Sequence, residues 1–191
     1  IPGYRDAYGV PKPVVVIGAG YDVNKDYTGL STADSMGRGL FIIDAATGAL
    51  VWSVTPAPNS ATNLQELELT DSVPGQVTAL DSNGDELTDR LYFVDARGQL
   101  WRVDLSDDQF PSSTQDSWKI IKMADLNGAT AATDRRFFNA PDVVRIRIDA
   151  KAIDVVLIGS GDRSNPNATD VENRCYMIRD CRLYTSDGAD E

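Results

Sequence analysis

Histidine is absent from the 191 residues. That absence excludes Ser-His-Asp and Cys-His nucleophilic schemes, and histidine-ligated zinc with them. Only two cysteines are present, Cys175 and Cys181, too few to build a disulfide framework. No apolar run approaches the roughly 18 residues that a membrane-spanning helix requires. Basic residues are scarce: 18 Lys and Arg face 29 Asp and Glu, for a net charge of -11 and a pI near 4.4. Such a chain does not suit nucleic acid, whose phosphates call for Lys and Arg. It does suit metal cations and a well-solvated surface. An initiator Met is missing ahead of Ile1, and no charged segment followed by an apolar one marks a leader. The chain therefore reads as processed, or as a piece of a longer protein. No paired carboxylates, activated nucleophile or phosphate cradle stands out, so the expectation is a binding protein rather than an enzyme.

What is present is a β-rich pattern. Hydrophobic residues make up 42% of the chain and mean hydropathy is -0.27, as expected of a globular domain with a core. Residues 1–13, rich in turn formers, read as a lead-in. Val14–Ile17 is a buried-strand run closed by the sharp turn Gly18-Ala-Gly-Tyr-Asp22. Gly18-Ala-Gly20 lacks both the third glycine and the following helix of a dinucleotide-binding turn. Residues 23–38 read as a long polar loop. Two β-rich runs then flank a short turn, Gly39-Leu-Phe-Ile-Ile-Asp44-Ala-Ala-Thr-Gly48-Ala-Leu-Val-Trp52, a hairpin signature. Residues 91–105 repeat it: an aromatic-rich strand ends in Asp95-Ala, Gly98 turns the chain, and Leu100-Trp101 returns. A third strand of this type is Cys175–Asp180, and Val14–Ile17, Val77–Leu80 and Val155–Ile158 each precede a Gly- or Asp-rich turn. Irregular repeats of about fifty residues, a few strands each, predict an all-β fold made of propeller blades. A β-sandwich with coincidental repetition is the alternative.

Between the second and third units, 106–117 predict a surface excursion, and Trp118–Met123 and Val143–Ile148 predict strands. In Asp134-Arg-Arg-Phe-Phe138, one Phe is expected to plug the core while Arg135 and Arg136 pair with carboxylates.

The second repeat carries the candidate site. Oxygen side chains alternate along it at Asp81, Asn83 and Asp85, followed by Asp89. A tightly curled loop turns positions 1, 3, 5 and 9 of such a run inward, with the backbone carbonyl of position 7, Leu87, in line. That is the ligand spacing of an EF-hand-type loop, and calcium takes oxygen ligands. Position 6 is Glu86 in place of Gly, so a left-handed turn there costs about 1–2 kcal/mol. Position 12 is Tyr92 in place of a bidentate Glu, and both flanks read as strands rather than helices. The alternative to calcium is a plain polar hairpin turn, since Asn83-Gly84 between apolar runs is itself a turn signal.

These motifs resemble those of the PilY family, the type IV pilus biogenesis and tip-associated adhesins. The matching pieces are Pro13–Asp22, Gly39–Gly48, the 81–89 loop with its Arg90-Leu-Tyr tail, Gly98–Asp104, Arg135–Phe138 with Pro141–Val144, and Gly159–Arg163. They stand in family order across roughly residues 10–180. The resemblance implies part of a modified, quinoprotein-like β-propeller, two to three blades with long loops, over residues 1–180. It implies Ca²⁺ held by Asp81, Asn83, Asp85, Asp89 and the Leu87 carbonyl, with occupancy governing pilus extension against retraction. It also implies surface adhesion, twitching motility and a place at the pilus tip, reached through the periplasm and outer membrane. Minor pilins, a host or abiotic surface and the rest of the propeller are the implied partners. Where the family has Gly, this chain has Glu86. Rival readings are a fragment of a quinone-dependent dehydrogenase and a purely structural, integrin-like calcium propeller. The dehydrogenase shares the Asp44–Trp52 pattern, but its adjacent cysteine pair is missing here. Residues 181–191, including Cys181, fit neither pattern and read as a non-native or disordered tail.

Overall fold

The computed structural model describes residues 1–27, 29–30, 32–105, 110–111, 118–148 and 151–180. The first antiparallel hairpin predicted above forms as β2 (Leu40–Asp44) and β3 (Leu50–Thr55). β1 (Val14–Gly18) lies against β2, and the short β4 (Asn63–Gln65) runs parallel to β3, completing a sheet in the order β1-β2-β3-β4. The repeat then recurs as β5 (Thr78–Leu80), β6 (Arg90–Val94), β7 (Gln99–Asp104) and β8 (Lys119–Asp125), again in sequential order. β9 (Asp142–Ile148), β10 (Lys151–Gly159) and β11 (Cys175–Asp180) make a third, three-stranded meander. Among the described residues the rest is loop, apart from single 3-10 turns at Val23–Asp26 and Ala131–Thr133. The first of these turns falls within the loop predicted over 23–38. The predicted tail and most of the predicted excursion at 106–117 lie outside the described residues.

Side-chain alternation explains how the sheets stack. Residues paired across a ladder share a face. In the second sheet Leu91, Phe93, Trp101 and Val103 form one face, and Tyr92, Val94 and Leu100 the other. The first set packs with Leu40, Ile42, Trp52 and Val54 of the first sheet. The second set packs with Val156 and Ile158 of the third sheet and with Phe137. The middle sheet is thus apolar on both faces, and every residue of β6 is buried. Burying each such large side chain stabilises the fold by about 1.5–3 kcal/mol. An aromatic chain extends the first interface: Trp52 meets Trp118 edge-on at 5.4 Å, Trp118 meets Phe110 at 5.4 Å, and Phe110 meets Tyr4 at 5.6 Å.

The outer faces of the two flanking sheets remain apolar too. Val15, Ile17, Phe41 and Ile43 share the outer face of the first sheet, with Val15 and Ile17 exposed. Val144, Leu157 and Met177 lie on the outer face of the third, with Met177 63% exposed. Among the described residues the three sheets are separate and close no ring. The observed architecture is therefore all-β, three stacked sheets that are antiparallel except for the short β4, with long connections.

The middle and third sheets are also joined by buried charge. Arg90 Nη1 lies 3.2 Å from Asp154 and 3.4 Å from Asp180. Tyr92 donates its hydroxyl to Asp180 at 2.6 Å, and Arg102 reaches the same carboxylate. Phe137 plugs the core as expected. Arg136 pairs with Asp134 and Asp162, each at 3.1 Å, and Arg135 lies 3.6 Å from Glu172. Both arginines are buried, and Arg136 also donates to the carbonyls of Lys25, Tyr27 and Gly29. Arg136 thereby pins Lys25, Tyr27 and Gly29 of the long 19–39 loop, while Arg135 donates to the carbonyls of Glu172 and Leu126.

Candidate metal centre

The 81–89 loop joins β5 to β6, so its flanks are paired strands, as the sequence predicts. Asp89 N–H donates to the Leu80 carbonyl at 3.1 Å, closing the loop at its base. Inside, the acidic side chains turn toward the backbone. Asp81 Oδ1 accepts from Gly84 N–H at 2.6 Å and Asn83 N–H at 3.2 Å, and its Oδ2 accepts from Glu86 N–H at 2.9 Å. Asn83 Oδ1 accepts from Asp85 N–H at 2.9 Å, and Asp85 Oδ1 from Leu87 N–H at 2.8 Å. Such side-chain-to-backbone bonds let Asn and Asp template tight turns in place of regular structure.

Glu86 has φ 69, the single described non-glycine residue in the left-handed region. The chain thus adopts the backbone bend that the spacing demands at position 6, although Glu carries the steric cost. Gly84, at φ 88, supplies the other left-handed residue at no such cost.

Asp89 is held from within the loop. Its Oδ1 accepts from Ser82 N–H at 2.9 Å and its Oδ2 from the Ser82 hydroxyl at 2.8 Å. The Ser82 carbonyl in turn accepts from Arg145 Nη2 at 3.0 Å, and Arg145 pairs with Asp154 through Nε at 2.8 Å. The loop is therefore wired into the charged seam between the middle and third sheets. Sequence reasoning missed both Ser82 and Arg145. Ser82 sits at a position the ligand spacing skips, and Arg145 is distant in the chain, visible only as the polar partner in an alternating strand.

The donor set fits a hard cation. All four side chains offer oxygen, and apart from Asp81 Oδ1, which already accepts two N–H groups, each carboxylate oxygen engaged by an N–H keeps a further lone pair. Among the described residues nothing donates to the Leu87 carbonyl. The N–H of Gly84, and after it those of Glu86 and Asn83, hold the Asp81 carboxyl below the usual carboxylate range, against partial desolvation. Asp81 is thus ionised and ready to take a cation at any neutral pH. Among the described residues no group of three or more acidic side chains is brought together so as to hold a metal ion. Asp81, Asn83 and Asp85 are turned to the loop's own backbone N–H groups, and Asp89 to Ser82.

A second concavity, of about 420 Å³, opens beside Arg136, Phe138, Asp162 and Arg163. Both terminal nitrogens of its buried arginine already donate, to Asp134, Asp162 and three carbonyls. No helix among the described residues is long and apolar enough to cross a membrane.

No protein-family model matches the chain, nor does any curated protein sequence. Among solved structures the chain is similar to the Pseudomonas aeruginosa PilY1 C-terminal domain, a crystal structure. That match has 25% sequence identity and a TM-score of 0.44, and covers 64% of this chain and 26% of that one. The chain thus spans about a quarter of the length of the protein it matches.

Proposed function

We propose that the 81–89 loop is a calcium site, and that the chain is the calcium-responsive propeller portion of a PilY-like, pilus-associated surface protein. The observation that carries the calcium reading is the loop's backbone: Glu86 holds φ 69 at the one ligand-spacing position where a left-handed bend is required. Asp81, Asn83, Asp85 and Asp89 would hold the ion by their side chains, and Leu87 by its carbonyl. The bound cation would supply positive charge among three carboxylates that otherwise repel. Ser82 keeps Asp89 oriented, and Arg145 carries any tightening of the loop to the seam with the third sheet.

The propeller reading is supported by three sequential meanders stacked face to face, with apolar residues still presented on both outer faces. Such faces suit further blades of the same kind. The pilus reading rests on the six motifs in family order, and with it come adhesion and the pilus tip as the place of action. A binding and switching role, without catalysis, suits this donor set.

Isothermal titration with CaCl₂ after EGTA treatment tests the site. One site is expected, with a dissociation constant of roughly 10⁻⁶ to 10⁻³ M given three acidic ligands and no bidentate Glu. Asp81→Ala/Asp85→Ala should abolish the heat, and a parent chain that gives no heat at millimolar calcium refutes the site. Complementing a pilus-defective deletion strain with the same variant in the full gene tests the biological role: twitching should fail to return as it does with the parent gene.

A further inference from the structure

The 3-10 turn at Val23–Asp26 places Lys25 inside the protein, its side chain fully buried. Its Nζ contacts Asp71 Oδ1 and lies 3.2 Å from Asp34 Oδ1, and both carboxylates are buried as well. Its remaining hydrogen goes to the Thr32 carbonyl at 2.8 Å. Three charged groups, one cation and two anions, thus share a pocket closed to water. An ion pair buried this completely loses hydration that its mutual attraction only partly replaces.

The three groups are also fixed in place. The Lys25 carbonyl accepts from Arg136 Nη1 at 2.5 Å, anchoring the residue that carries the amine. Asp71 Oδ2 accepts from the Thr70 hydroxyl at 2.6 Å, which orients the carboxylate and draws electron density from its carbon. Asp34 Oδ2 accepts from Ser72 N–H at 2.8 Å, leaving Oδ1 turned to the amine. A nucleophile, an acyl carbon and a proton carrier are therefore preassembled. Orientation of this kind is worth effective molarities of roughly 10⁵–10⁸ M.

We propose that Lys25 and Asp71 condense to an intramolecular isopeptide bond, with Asp34 as the proton carrier. Asp34 takes one proton from the Lys25 ammonium, and the freed lone pair attacks Cγ of Asp71. The new C–N bond forms as the C–O bond to one carboxylate oxygen breaks. Two of the three amine protons leave on that oxygen as water, shuttled by Asp34, and the third stays on the amide nitrogen. Nothing is oxidised or reduced, and no co-reactant is consumed. Three buried charges become one, and the amide N–H has Asp34 and the Thr32 carbonyl as acceptors. The product staples the long 19–39 loop to the segment that leads into the middle sheet.

The soluble, folded full-length chain should have an intact mass one water molecule below its sequence mass, and trypsin should fail to cleave after Lys25. The Lys25- and Asp71-bearing peptides should run as one branched species. Lys25→Arg and Asp71→Ala should restore the full mass, and Asp34→Asn should leave Lys25 and Asp71 in place but uncoupled. A full sequence mass in folded parent protein overturns the proposal. So does a water loss with normal cleavage after Lys25, which would mark succinimide formation elsewhere.

Discussion

The two hairpin aspartates show how one motif can carry opposite electrostatics. Asp44 is held well below the usual carboxylate range, chiefly by Lys12 and then by the Tyr4 hydroxyl. Its counterpart Asp95 is pushed up to about 7 by burial, against the donors Trp101 Nε1 and Gln99 N–H. The sequence shows the repeat but not this difference, because Tyr4 and Lys12 come from the lead-in and, among the described residues, no cation pairs with Asp95. A raised folded-state value means that stability from Asp95 is complete below its ordinary 3.8 and is lost as pH rises through about 7. Asp22 works in the other sense. N–H groups of Asn24, then Met36, hold it down at about 2, so its contribution is present above its ordinary range and lost as pH falls toward 2. Urea unfolding should therefore give a higher midpoint at pH 5 than at pH 8, and a lower one again at pH 3. At Glu86 the expected change is simpler. Glu86→Gly removes a left-handed penalty of about 1–2 kcal/mol at an entropic cost of about 0.5–1 kcal/mol, so denaturation should show a net gain of about 0.5–1 kcal/mol. Glu86→Ala keeps the Cβ and should show no such gain.

At the scale of strands and loops, periodicity made most of the fold legible. Continuous apolar runs gave β1, β2 and β6, alternation gave β9, and the Asp44-to-Gly48 and Asp95-to-Gly98 turns placed both hairpins. β4 was not legible: three residues, Asn63–Gln65, are too short to display a period, and their parallel pairing depends on where the 56–62 loop delivers them. The cage around Lys25 was equally hidden, since a lysine in a polar loop carries no sign that Asp71, far along the chain, will close over it. The candidate loop was readable as a spacing of oxygens, whereas its support from Ser82 and Arg145 required the third sheet to be in place. That seam between sheets makes its own prediction. Arg90→Ala strips the shared cation from two buried carboxylates, Asp154 and Asp180, and should cost about 3–5 kcal/mol in equilibrium unfolding. Arg145→Ala should cost clearly less, because its side chain is 47% exposed.

Across the whole molecule, the middle sheet is the element that the others complete. Both of its faces are covered by a neighbouring meander, and its β5–β6 connection is the candidate calcium loop. A change in that loop therefore reaches the core by two short routes. One is β6, buried along its entire length, and the other is Ser82 to Arg145 to Asp154 in the third sheet. Occupancy of a loop so placed should register as stability of the entire chain rather than of a local turn. The most direct test is thermal melting of the full chain with and without Ca²⁺ at about a hundred times its dissociation constant. The account predicts a rise of roughly 5–10 °C, from about 2.7 kcal/mol of binding linkage, that disappears in Asp81→Ala/Asp89→Ala. An unchanged melting temperature in saturating calcium, or the same rise in the double variant, would contradict it.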